Sequence, residues 1–127
     1  MGYYFGKTLY ISFDEAITRV TEELKKEGFG VLTEIDVKAT LKKKLNVDYE
    51  NYLIIGACNP PFAYQALQAE KDIGLLLPCN VIVYDDGGKT FVAAILPTQA
   101  MRMIENKKLQ AIAIEVESKL KKVIDNI

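Results

Sequence analysis

The chain contains no histidine and no tryptophan, and only two cysteines among 127 residues. Without histidine it lacks the commonest general base, the usual transition-metal ligand and the side chain that changes charge near neutral pH. Two cysteines do not make the disulfide framework of a small secreted scaffold. A surplus of charge is missing too: 16 basic against 17 acidic residues leave a net charge of −1. Nucleic acid is therefore not expected as a partner, because such binding rests on an excess of Lys and Arg facing phosphates. No apolar run approaches the roughly 18 residues of a membrane span. The start, MGYYFGKTLYISFDE, has no basic segment followed by a long apolar run, as a secretory signal would. Gly6 stands where a myristoylation site requires Ser or Thr. These absences lead us to expect a soluble cytoplasmic protein with no membrane partner.

What is present is an ordinary globular balance, 50% hydrophobic and 26% charged residues, in a length that suits one domain over residues 1–127. The most apolar stretch runs from Tyr52 to Tyr84, YLIIGACNPPFAYQALQAEKDIGLLLPCNVIVY. It holds both cysteines, each followed by asparagine, and three of the four prolines. It reads as strand, capped helix, strand.

In chain order, Tyr3 to Ile11 alternates and is rich in β formers, which predicts a first strand. Ser12 and Glu15 make a capping box ahead of a helix whose apolar face is Phe13, Ala16, Ile17, Val20 and Leu24. Glu15 with Arg19 and Glu22 with Lys26 are spaced to pair on its wet side, and Gly28 supplies a left-handed stop. Phe29 to Ile35 predicts a second strand. Asp36 then caps a short basic helix, Val37 to Leu45, with Val37, Leu41 and Leu45 expected inside. Its three lysines, Lys42 to Lys44, suit the negative end of a helix dipole better than a phosphate patch.

Three further strands follow, at 52–58, 81–84 and 91–96, each apolar on both faces. Asp85-Asp86-Gly87-Gly88 predicts a tight hairpin between the last two. Thr98 is expected to cap a short helix through Met101 and Ile104. A long final helix from Lys107 to about Ile124 carries Leu109, Ala113, Val116, Leu120 and Val123 on one stripe. This order predicts an α+β single domain, a mainly antiparallel sheet with its two long helices on one face. Apolar residues on the second face imply a cover there as well, most simply a second copy of the chain in a C2 homodimer.

Four residues stand out as a candidate binding site: Cys58, Asn59, Cys79 and Asn80. Asn59 is a good N-cap with Pro60 at the first helical position, and the exposed amides of that first turn could receive an anion. If the third and fourth strands run antiparallel, Cys58 and Cys79 meet at one edge of the sheet with Asn59 and Asn80 beside them. A redox pair, two ligands of a metal and a single nucleophile are all conceivable there; so are two small buried hydrophobes. A structural zinc wants four ligands and one chain offers two sulfurs, so no metal ligand and no catalytic residue is assigned, and no cofactor is named. The carboxylates Glu34 and Asp36 are accounted for by strand alternation and helix capping.

The blocks GFGVLTEIDVKATLKKKL (Gly28 to Leu45), YLIIGACNPPFAYQAL (Tyr52 to Leu67) and IGLLLPCNVIVYDDGG (Ile73 to Gly88) resemble the bacterial and archaeal family catalogued as domain of unknown function 302. The resemblance implies a β-α-β4-α core like that of the TATA-binding protein, commonly as a homodimer. It implies no activity, and likeness of fold does not transfer DNA binding. Two functions are weighed. One is a dimeric protein that binds a small-molecule ligand or a partner near the Cys-Asn pairs, in a regulatory role. The other is a thiol-dependent enzyme, or a sulfur- or metal-handling protein. The missing histidine favours the first and the paired Cys-Asn motifs favour the second.

Overall fold

Strand β1 (Tyr4–Leu9) passes to helix α1 (Phe13–Lys26) at Ser12, whose hydroxyl accepts the Glu15 amide at 3.1 Å. The computed structural model describes residues 2–127. Glu15 does not complete a capping box but turns to Arg19, 3.5 Å away. Lys26 pairs with Glu23 at 2.7 Å rather than with Glu22, and that hydrogen bond, aided by the same carboxylate's charge, raises the lysine pKa. Ala16, Val20 and Leu24 are fully buried at helical spacing, as the pattern predicts. Gly28 ends the turn at φ +86°, a conformation that costs glycine nothing.

Strand β2 (Gly30–Asp36) leads into helix α2 (Val37–Leu45), capped by the Asp36 carboxylate on the Ala39 amide at 2.9 Å. The expected burial of Val37, Leu41 and Leu45 does not occur: no residue of α2 is buried, and Leu45 is 66% exposed. The reason is position. Helix α2 follows an edge strand and packs mainly on β2 and β3, so no second layer buries its apolar side.

Strand β3 (Tyr52–Cys58), helix α3 (Pro60–Ala69) and a 3-10 turn (Lys71–Leu76) precede strand β4 (Cys79–Asp86). Strand β5 (Lys89–Ile95) follows a tight turn in which Gly87 and Gly88 have φ +57° and +87°, as the Asp-Gly signal predicts. Helix α4 (Pro97–Ala100) is shorter than expected and is not capped by Thr98. Leu96 takes the cap position, while the Thr98 hydroxyl and amide both donate to Glu117 Oε1, at 2.6 and 3.1 Å. Those bonds dock α4 on helix α5 (Lys107–Asp125), whose own cap is the Asn106 side chain accepting the Leu109 amide at 3.0 Å.

The sheet has five antiparallel strands in the order β1-β5-β4-β3-β2. Consecutive strands β1 and β2 thus occupy opposite edges, and α1 carries the chain across between them. Helices α1 and α5 lie side by side on one face, as expected for the two long helices. Leu53 and Ile55 of β3, Val81 and Val83 of β4, and Val92 of β5 point into that layer and make the core with Val20, Leu24 and Leu120. Lys7 ties β1 to the end of α5, its Nζ donating to the carbonyls of Ile124, Asp125 and Ile127 at 3.0–3.3 Å. A smaller cluster of Ala66, Ile73, Met101, Leu109 and Ala113 joins α3, the 3-10 turn, α4 and the first half of α5.

The same strands present a different surface on the other side. Tyr52, Ile54, Ile82, Tyr84 and Phe91 alternate with the core residues and are only half-buried. Aromatic rings form a row across it: Tyr52 stacks on Tyr84 at 5.1 Å with 9° between planes, and Tyr84 meets Phe91 at 5.2 Å. Burial and the negative charge of Asp86 raise the Tyr84 pKa, and burial raises that of Tyr52.

Candidate functional site

The site starts where two central strands end together. Strands β3 and β4 pair Ala57 with Cys79, so Cys58 lies one residue beyond that rung and Cys79 opens the neighbouring strand. Antiparallel pairing therefore places the cysteines at the same end of the sheet, as expected. Both line one cleft between the sheet end and helices α3 and α5, with a cavity volume of about 280 Å³. Both thiols are free.

Asn59 lines the same cleft, but not as the side-chain cap that its position suggests. An N-cap side chain accepts from the amide of the second or third helical residue. Here Pro61 removes the amide of the second position, and the amide of Phe62 at the third donates no bond to the Asn59 side chain. The Asn59 side chain instead donates from Nδ2 to the carbonyl of Glu27, at 3.1 Å, and so ties the start of α3 to the end of α1. A Cβ at Gly28 would come within 3.2 Å of that same nitrogen, so this contact asks for glycine as well as for its positive φ. The anion-binding turn suggested by the sequence is likewise stripped of two amides.

Asn80 does not join the other three. One residue along β4 from Cys79, it points through the opposite side of the pleat and lines the hollow of the aromatic face with Tyr52, Ile82 and Tyr84. It meets Cys79 only in a second groove of about 280 Å³, beside Leu75, Leu76 and Pro97. The candidate quartet is thus a trio, Cys58, Asn59 and Cys79, and Asn80 is corrected to the other face.

The remaining walls are apolar. Phe62, Ala63 and Ala66 of α3 face Ile112, Ala113 and Val116 of α5, and Leu77 and Pro97 close one side. Phe29 and Leu32 come from the β2 side. Leu32 reaches the cleft because β2 slips register between Val31 and Thr33, a bulge that gives one extra residue to the helix side. Period-two alternation cannot show such a slip. The sequence signal that does point to the cleft is small residues: Ala63 and Ala66 on α3 meet Ala113 on α5, where larger side chains would have filled the space.

The electrostatics are those of an apolar slot. Burial raises the Cys58 pKa. Cys79 is pushed up to about 11, first by burial and then by the Cys58 sulfur beside it. At neutral pH both stay protonated and are weak nucleophiles and weak ligands. Among the described residues no cation or carboxylate lines the cleft. Among the described residues no three of His, Cys, Asp or Glu converge as a metal site, and no helix is long and apolar enough to cross a membrane.

A family model described as domain of unknown function DUF302 matches residues 5–127. Among solved structures the chain is similar to an uncharacterized conserved DUF302 protein from Bacillus stearothermophilus, known from its crystal structure. The two share 31% identity over 99% of this chain and 98% of that one, with a TM-score of 0.92. No curated protein matches the chain.

Proposed function

The chain belongs to the family of domain of unknown function DUF302, and we propose that it is a dimeric binding protein for a small apolar molecule, held between α3, α5 and the Cys58 end of the sheet. The observation that carries this reading is the cleft, an apolar concavity whose polar side chains, among the described residues, are one amide and two thiols. The rival reading, thiol chemistry, draws on the two sulfurs in one cleft. It is weakened by their raised pKa values, which withhold the thiolate that a nucleophile or a ligand needs. We place the protein in the cytoplasm, where such thiols stay reduced. The TATA-binding-protein-like arrangement enters as a likeness of the β-α-β4-α core, and a net charge of −1 keeps nucleic acid out of the proposal.

Dimerisation is assigned to the aromatic sheet face. Five strands about 4.8 Å apart, each some seven residues long, give a flat footprint of roughly 500 Å². Side-chain relief adds to that, which approaches the ~800 Å² per partner of a specific interface. Among the described residues Glu50 is the only charged side chain lining its hollow, so a second copy meets the face with little charge to desolvate. The cleft lies on the helix side and stays open in such a dimer.

A neutral fluorescent probe, N-phenyl-1-naphthylamine, tests the cleft. Saturable emission with native protein, lost in Ala63→Phe and kept in Ile82→Asp, supports it; emission that ignores Ala63→Phe overturns it. Sedimentation tests the dimer. Native protein should run at twice the chain mass and Ile82→Asp at the chain mass, whereas a native monomer refutes this half of the reading.

A further inference from the structure

Asn59 has two polar ends in the cleft wall, and only one of them is engaged. Its Nδ2 donates to the Glu27 carbonyl at 3.1 Å. A carbonyl only accepts, so the amide is oriented with nitrogen toward α1 and oxygen away from it. The residue is only 8% exposed. Among the described residues no buried side-chain oxygen lacks a partner, and none of them donates a hydrogen bond to Oδ1. Oδ1 therefore keeps contact with open space, and the space that Asn59 borders is the cleft.

We infer that the cleft selects a neutral, mostly apolar molecule bearing one hydrogen-bond donor, of the alicyclic or aromatic alcohol class. Its hydroxyl donates to Asn59 Oδ1 while its ring packs against Phe62, Leu77, Ile112 and Val116. This rests on the cleft being a ligand site, as proposed above, and adds what distinguishes its ligand. A carboxylate or phosphate is disfavoured because it sets acceptor against acceptor in a lining with no cation, beside a helix whose first two residues have no N–H. A hydrocarbon fits the walls but strips Oδ1 of water without replacing the bond, and an ether does the same. The volume suits the class: a dry cavity of about 150 Å³ accepts benzene, and this one has about 280 Å³, room for a substituted six-membered ring.

The test compares cyclohexanol, cyclohexyl methyl ether and methylcyclohexane, titrated into native protein while the methyl NMR signals of Leu77, Ile112 and Val116 are followed. The two non-donors are the more hydrophobic, so wall contacts alone would rank cyclohexanol last. Cyclohexanol binding about tenfold tighter than the ether, the size of one good hydrogen bond, is the expected result. An ether that binds as tightly as the alcohol overturns the inference and leaves the binding cleft standing; three probes that leave the methyl signals unmoved overturn both. In Asn59→Leu, of similar size, the alcohol preference should vanish while the hydrocarbon still binds. A preference that survives there overturns the role of Oδ1. If that variant does not fold, the ranking in native protein decides alone.

Discussion

Cys58-Asn59 and Cys79-Asn80 are the same dipeptide with opposite burial. In the first the cysteine is half-exposed and the asparagine buried; in the second the cysteine is buried and the asparagine exposed. The first pair leaves a strand for a helix, where the chain swings Asn59 under the end of α1. The second enters a strand, where the pleat sends Cys79 to the core side and Asn80 to the other. Two copies of a motif thus became one cleft and one surface amide. What a polar residue does here depends on its phase relative to the sheet, more than on its neighbour in sequence.

The largest expected consequence of that contrast is alkaline. Cys79 has an ordinary pKa near 9.0, pushed up to about 11 in the fold. Above the ordinary value the unfolded chain loses this proton while the folded chain keeps it, so the unfolded state binds fewer protons and stability falls as pH rises. The contribution is fully present below pH 9.0 and is lost as pH rises through about 11, a loss of about 2–3 kcal/mol. Urea denaturation across that window should show the loss in native protein and a shallower fall in Cys79→Ala. Cys58→Ala should keep most of it, because burial is the leading cause. Equal slopes for native protein and Cys79→Ala would break the distinction between the two cysteines.

A kinetic contrast comes next. A neutral alkylating reagent should modify Cys58 at least about tenfold faster than Cys79, since access and thiolate fraction both favour the less buried sulfur. Peptide mapping reads the ratio, and adding denaturant should erase it.

The asparagines give smaller effects. Asn59→Ala and Asn59→Gly should each cost ~1 kcal/mol in chemical denaturation, because both lose the bond to the Glu27 carbonyl. A true N-cap would instead be largely rescued by glycine, so a benign Asn59→Gly would restore the capping role that the bond to Glu27 argues against. Smallest of all, Asn80→Ala should change stability by no more than about 0.5 kcal/mol at dilutions where the aromatic face is unpaired.

Where the chain obeyed a short period, its structure was legible. The faces of α1 and α5, the Asp-Asp-Gly-Gly turn and the alternation of β3, β4 and β5 all follow from spacing, and antiparallel pairing correctly brought Cys58 and Cys79 to one end. The misreadings share a cause. Leu45 lies outside because α2 found no second layer, and Thr98 bonds to Glu117 on a helix 19 residues away in sequence. Asn80 leaves the group because antiparallel pairing brings the strand ends together, while the pleat sends neighbours along β4 to opposite faces.

The amino-acid sequence by itself determined the inventory of elements, the apolar character of both sheet faces and the chemical poverty of the site. It contains no histidine and no excess of charge, and those facts hold in any fold. Only the tertiary structure decided which face the helices took, that Leu32 enters the cleft through a bulge, and that the Asn59 side chain donates to the Glu27 carbonyl instead of capping α3. Periodicity is a property of neighbours along the chain. A cleft is a property of elements that meet from far apart in sequence, and its shape appears only once they have packed.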